Sequence, residues 1–158
     1  MDRDRSLRAH LKKLLDWEDA HVSVDRAVEG IPPRLRGKVP DGVAHSAWQL
    51  LEHLRICQRD ILDFCVNPKY VEIAMEAYWP RTAAPPSEAA WKKSVTALRR
   101  DRATLRRLAD DSKIDLFSRI PHGSGQTYLR ELLLVVDHNA YHAGQLVALR
   151  RRLDAWKD

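Results

Sequence analysis

TYLRELLLVVDHNAYHAGQLVALRRRLDA, residues 127–155, is the stretch on which the reading of the whole chain turns. Leu132, Val135, His138, His142, Gln145 with Leu146, and Leu149 recur every three or four residues, which is the stripe of an amphipathic helix facing a helical core. Thr127 is a good N-cap residue, so the spacing predicts a helix from there to about Ala155. Two histidines stand on that inward stripe, four positions apart. Such a spacing stacks both imidazoles on one face, about 6 Å apart, and suits two ligands of one metal ion.

Working outward, three more stretches carry the same period. The first runs from about Asp4 to Val28, with Leu7, Leu11, Leu14, Trp17, Val24 and Val28 on its apolar side, and is stopped by Gly30 and Pro32-Pro33. The second runs from about Ala44 to Val66, with Leu50, His53 or Leu54, Cys57, Ile61 and Phe64 as its stripe, and Asn67-Pro68 ends it. The third begins at Ser87, an N-cap residue, and presents Trp91, Val95, Leu98, Leu105 and Leu108. Arg102 or Asp101 interrupts that face and predicts a polar patch inside the bundle.

Between these stretches lie connections rich in Pro and Gly at 31–44, 69–86 and 112–126. The connection at 69–86 holds Tyr70, Tyr78 and Trp79, so it is expected to pack as a cap, and its length is that of a functional rim. No run demands a strand. The reading is all-α: one domain over residues 1–158, a four-helix bundle with two long loops, whose connectivity need not be simple up-down.

Composition limits the function classes. At 158 residues, 44% hydrophobic and 31% charged, the chain suits one soluble globular domain with a real core. No apolar run approaches the roughly 18 residues of a membrane helix. MDRDRSLRAH at the start lacks an apolar signal core, and a cytoplasmic location is expected. Cys57 and Cys65 sit about 12 Å apart along one helix, too far for a disulfide, and are read as buried, inert thiols. The net charge of +5 is mild. Arg150, Arg151 and Arg152 complement the last helix's dipole, and with Arg99, Arg100, Arg106 and Arg107 they make a nucleic-acid face conceivable. A solvated, salt-bridged surface fits them better.

Of seven histidines, His53, His138 and His142 share the inward stripes of two helices. Burying imidazoles without partners is costly, and a metal satisfies several at once. A lone HxxxH pair also arises by chance, and core histidines can be satisfied by Ser, Asp or backbone, so both accounts stand on spacing alone. Three imidazoles suit Zn, Ni, Fe or Cu. They leave at least one position for water or substrate, where a divalent metal lowers the pKa of a water or thiol that it binds.

Gln145 lies on the stripe and is placed to touch such a ligand. Asp137 and Asn139 flank the first ligand and Glu52 flanks His53, as supporting groups. His122, in a Pro/Gly loop, could reach the bundle mouth. His45 is read as capping or surface, His10 as solvent-facing, and His21 as a cavity-lining candidate. Trp17, Trp48, Trp79, Trp91 and Trp156 are read as core or rim packing. There is no GxGxxG, P-loop, GxSxG or acid/base carboxylate pair.

The segment from Ile120-Pro121-His122-Gly123 through Gly125-Gln126-Thr127 and Leu129-Arg130-Glu131 to Asp137-His138-Asn139-Ala140-Tyr141-His142-Ala143-Gly144-Gln145-Leu146 closely resembles the C-terminal signature of the DinB-like (DinB/YfiT) family. His45-Ser46-Ala47-Trp48-Gln49-Leu50-Leu51-Glu52-His53-Leu54 resembles that family's second-helix motif, and Tyr78-Trp79-Pro80 and Trp91 resemble further landmarks. The resemblance covers most of the chain. It implies a four-helix bundle in up-down-down-up order. It also implies one divalent metal ion (Zn, Ni or Fe) held by His53, His138 and His142.

Several members of the family are thiol-dependent transferases or isomerases. The resemblance therefore implies a small-molecule substrate, with a low-molecular-weight thiol as cosubstrate, and a homodimer. The chain lacks the extra C-terminal domain of the mycothiol-dependent isomerase branch, so that reaction is not carried over. An enzyme activating a thiol or water against an electrophile, in a transferase or hydrolase reaction, is the leading expectation. A non-catalytic, stress-related metal-binding protein comes second, and nucleic-acid binding last.

Overall fold

The computed structural model describes residues 2–16 and 20–157. Among them are five α-helices and no strand: α1 (Arg3–Leu15), α2 (Val24–Val28), α3 (Ala47–Val66), α4 (Glu88–Asp110) and α5 (Tyr128–Arg152), with short 3-10 turns at Pro33–Leu35 and Met75–Tyr78. The four long helices neighbour one another in a closed ring: α3 packs on α4 and α5, α1 packs on the same two, and α2 lies against α5. No helix among the described residues is long and apolar enough to cross a membrane.

The helix starts follow capping chemistry. Ser46 and Gln49 form a reciprocal capping box that opens α3, three residues later than its apolar pattern suggests. Ser87 and Thr127 accept from the backbone N–H groups of Ala90 and Arg130, as expected of N-caps. At the other end, α5 stops at Arg152 rather than Ala155. Asp154 adopts φ 51, and the N–H groups of Asp154 and Ala155 return to the carbonyls of Arg151 and Arg150, a left-handed terminus that closes the helix.

The first stretch departs most from expectation. It is not one helix over Asp4–Val28: α1 ends at Leu15, and α2 restarts after Ser23, whose hydroxyl accepts from the Arg26 N–H. Trp17, expected on its apolar side, lies outside the described residues. Polar contacts flank the break. Asp16 and Asp25, one on each side of it, both pair with the buried Arg102 of α4, Asp16 at 2.9 Å. Two carboxylates can converge on one guanidinium only if the chain turns between them.

Buried arginines recur at such ends. Arg8 donates to the carbonyls of Ala109, Asp111 and Ile114 at 2.7–3.1 Å, closing the C-terminus of α4. Arg150 donates to Arg26, Ala27 and Ala155 carbonyls and lies 4.6 Å from the Trp156 ring centre. Arg36 binds the Ile31 carbonyl and Glu88 and packs over Trp91. Each supplies donors to backbone oxygens that a helix end or turn leaves unpaired.

Two apolar cores result. One gathers Leu50, Leu51, Leu54, Trp91, Leu98, Leu146 and Leu149, and the other Leu11, Leu62, Leu105, Leu116, Ile120, Leu132 and Val135. Between them runs a buried polar belt. Gln58 donates to the Leu98 carbonyl at 2.7 Å and accepts from Asn139 at 3.0 Å, and Asp101 and Arg102 sit at the same level of α4. The polar patch expected near Asp101 and Arg102 is therefore present.

Burial opposes ionisation of Asp25, but hydrogen bonds and charge from Arg99 and Arg102 outweigh it and hold the carboxyl below its ordinary 3.8. A depressed folded-state pKa contributes stability that is complete above the ordinary value and is lost as pH falls through the lowered one. Asp25→Asn is expected to cost about 1–3 kcal/mol at pH 7, because the charged donors lose their partner. Chemical denaturation of both proteins from pH 7 to pH 3 checks this: the gap between them should shrink as the pH passes below the ordinary carboxyl range.

Candidate metal centre

On the belt, one helical turn separates His53 from Cys57 on α3, and one turn separates His138 from His142 on α5. Because α3 packs on α5, the two pairs meet. The ring centres lie 5.0 Å apart for His53 and His138, 4.7 Å for His53 and His142, and 4.5 Å for His138 and His142. His53 and His142 are buried and His138 is half-buried. The sequence-predicted triad is thus brought together.

Hydrogen bonds determine which nitrogen of each ring is free. His53 Nδ1 lies 2.8 Å from the Tyr78 carbonyl, which can only accept, so Nδ1 carries the proton and Nε2 keeps its lone pair. His142 Nδ1 lies 2.7 Å from Gln145 Oε1 and donates to it. The Gln145 amide is itself oriented, its Nε2 donating to the Tyr141 hydroxyl at 3.1 Å. His138 Nε2 stands 3.1 Å from His53 Nε2.

Two accounts fit that last contact. In one, a proton on His138 Nε2 is donated to His53 Nε2. In the other, both nitrogens offer lone pairs to a cation, as two ligands do around tetrahedral zinc, where N–N spacing is about 3.3 Å. His138 Nδ1 and Asn139 Oδ1 are buried, and neither makes a hydrogen bond of ordinary geometry.

The electrostatics suit ligands. Burial pushes His138 down to about 4, and the neighbouring His142 and His53 add to the effect. Burial also takes His142 to about 4, against the opposing bond to Gln145. His53 is lowered too, again chiefly by burial. All three imidazoles are therefore neutral near pH 7, the form in which nitrogen binds a metal.

The 69–86 connection completes the site. Besides the Tyr78 carbonyl, it supplies Trp79, whose indole lies flat on His53 with centres 3.8 Å apart and planes 4° from parallel. His45 stacks on the same indole at 3.8 Å, so it is neither a helix cap nor a plain surface residue. Trp79 was expected as rim packing. It is rim packing that fixes the plane of a candidate ligand.

A cavity of about 240 Å³ lies further along α3 and α5, lined by Asp60, Phe64, Tyr70, Tyr78, Arg130 and Leu134 among others and by none of the four clustered side chains. Leu134 is one turn from His138. Asp60 accepts from the hydroxyls of both Tyr70 (3.1 Å) and Tyr78 (2.7 Å).

Other candidates lie elsewhere. His122 donates toward the Phe64 carbonyl at the end of α3, eleven residues beyond His53 and about 16 Å along the helix, so it does not reach the triad. Asp137 lies on the exposed side of α5. Glu52 turns to Arg55 and Ser94. His10 is exposed, and His21, also exposed, lines a separate cavity of about 250 Å³ with Leu15, Val24, Val136 and Asn139.

Cys57 is a buried, free thiol that burial pushes up to about 12, as expected, and it also borders the cluster: its Sγ lies 3.5 Å from His53 Nδ1 and 3.7 Å from Nε2. The ligand atoms of His53, Cys57 and His138 all fall within 4.8 Å of one another, a group able to hold a metal ion. The signal was present in the sequence, because HxxxC on α3 has the same spacing as HxxxH on α5. Cys65, two turns further on, is buried and outside this group, and both cysteines are free thiols.

No curated protein and no solved structure matches this chain. A family profile described as the DinB superfamily matches residues 16–146, which spans α2 to most of α5 and includes every histidine of the cluster. The chain belongs to the DinB superfamily.

Proposed function

We propose that this protein binds one divalent metal ion (Zn, Ni or Fe) through Nε2 of His53, His138 and His142, and uses it in a transferase or hydrolase reaction on a small electrophile. The single observation that carries the reading is the facing pair of Nε2 atoms at 3.1 Å, with the His53 tautomer fixed by the Tyr78 carbonyl. A metal in that place supplies Lewis acidity, lowering the pKa of a thiol or water that binds it.

The chain's own residues do the rest. The Tyr78 carbonyl and Gln145 hold protons on Nδ1 and so aim Nε2 inward. Trp79 shields one face of His53 from water. The family resemblance makes a low-molecular-weight thiol the favoured cosubstrate. The up-down-down-up helix order, a homodimer and a cytoplasmic location belong to the same reading, on the strength of the family resemblance.

A metal-binding role without turnover is the second reading, favoured by the depth at which His53 and His142 are buried. Nucleic-acid binding ranks last. Arg99, Arg102 and Arg106 are engaged by Asp16 and Asp25, and Arg150 is buried, so these helices offer few free cations to phosphate.

Elemental analysis of protein purified without a nickel column tests the centre. Wild type should carry about one metal ion per chain, and His138→Ala, with two imidazoles left, should lose it. Wild type that stays metal-free after reconstitution with Zn, Ni and Fe would sink the proposal.

Gln145→Leu tests the orienting bond. Removing the acceptor for His142 Nδ1–H should weaken metal binding by about 10–100-fold, whereas Gln145→Glu, which keeps an acceptor, should retain most of it. Competition with a chromogenic chelator reads both. Equal affinity in Gln145→Leu and wild type would remove Gln145 from the site.

A further inference from the structure

We infer that Cys57 is a fourth protein ligand of the same metal, its Sγ joining the imidazole nitrogens of His53, His138 and His142 in a set of three nitrogens and one sulfur. The inference rests on the three-histidine reading and deepens it.

Spacing carries it. Around a tetrahedral zinc ion with bonds of about 2.3 Å to sulfur and 2.0–2.1 Å to nitrogen, an S–N pair stands about 3.5 Å apart and an N–N pair about 3.3 Å apart. Cys57 Sγ is 3.7 Å from His53 Nε2, and His53 Nε2 is 3.1 Å from His138 Nε2. The N–N distance is that of neighbouring ligands, whereas Sγ stands nearly midway between His53 Nδ1, at 3.5 Å, and Nε2, and enters the same sphere by a rotation about its own side-chain bond. Ligand atoms of all three residues fall within 4.8 Å of one another.

His142 approaches His53 and His138 from the next turn of α5 and offers its own Nε2. Among the described residues, His53, Cys57 and His138 form the donor group whose ligand atoms all lie within 4.8 Å, and His142 flanks it with its ring centre 4.7 Å from that of His53 and 4.5 Å from that of His138.

His53 Nδ1 carries a proton held by the Tyr78 carbonyl, and Nε2, which faces His138, keeps the lone pair that a metal ion would take. On coordination the S–H bond breaks, the proton passes to solvent, and a sulfur lone pair forms the bond to the metal.

Two consequences follow for the site. A thiolate among imidazoles favours borderline-soft ions such as zinc and cobalt over magnesium or calcium. Four protein donors also fill a tetrahedral sphere, so an external thiol must displace Cys57 or enter as a fifth ligand.

The test is an anaerobic titration of metal-free protein with Co(II) chloride, followed by absorption. Visible d–d bands report cobalt bound in a low-coordinate site, and near-ultraviolet charge transfer reports a thiolate on it. Wild type and Cys65→Ser should show both. Cys57→Ser should keep the visible bands, lose the charge transfer and bind cobalt at least about tenfold more weakly. Cys57→Ala, which preserves the apolar character of the position, replaces the serine variant if that one fails to fold.

Visible bands without charge transfer in wild type would overturn the role of Cys57 and leave the three-histidine centre standing. Charge transfer that survives in Cys57→Ser and vanishes in Cys65→Ser would do the same. Failure of wild type to bind cobalt at all, with no visible bands, would remove both readings together.

Discussion

Everything in this fold is arranged around a layer of polar groups that crosses the bundle at mid-height. Leucines fill the interior on either side, but between them every helix contributes something that must be hydrogen-bonded or charged. α3 gives His53, Cys57 and Gln58; α4 gives Asp101 and Arg102; α5 gives His138, Asn139 and His142; Asp16 and Asp25 close the layer from the α1 and α2 side. Leaving such groups unpaired in a low-dielectric interior costs several kcal/mol altogether, so their partners constrain helix register alongside leucine packing. The Gln58 amide, held between the Leu98 carbonyl and Asn139, locks α3 to both α4 and α5 at one height. That same height is where the imidazoles meet.

The layer also explains why the long 69–86 connection is pressed against the bundle. The carbonyl of residue 78 sets which nitrogen of His53 carries the proton, and the indole of residue 79 sets the plane of that ring. The helices thus bring the rings together, α5 orients His142 through Gln145, and the loop orients His53. Asp60, bonded to both Tyr70 and Tyr78, pins that loop to α3 one turn beyond Cys57.

Much of this was legible in the sequence, and the failures have physical reasons. Period found α3, α4 and α5, and Ser87 and Thr127 fixed the starts of the last two, whereas the Ser46 capping box was not read and α3 was begun too early, at about Ala44. The triad was legible because His53, His138 and His142 fall on apolar stripes, where an imidazole has to be explained. The break between α1 and α2 was not, because Asp16 and Asp25, which flank it, find their partner in Arg102, some eighty residues away. Cys57 was passed over because a thiol on an apolar stripe reads as a small hydrophobe. His122 was over-read: its neighbouring glycines suggested a reach toward the bundle mouth, yet its ring is spent on the last turn of α3.

The contact between His53 and His138 spans 85 residues of chain. The nitrogens on either side of it are far apart in any unfolded conformation and come together only when α3 and α5 dock. An ion held between them behaves as a cross-link that exists in the native state alone. By mass action it would deepen the native well by about 2.7 kcal/mol once its free concentration reaches a hundred times its dissociation constant. With an ion in the proposed centre, the folding equilibrium of the bundle and the supply of that ion would be one coupled quantity, and the thermal midpoint would read out metal availability.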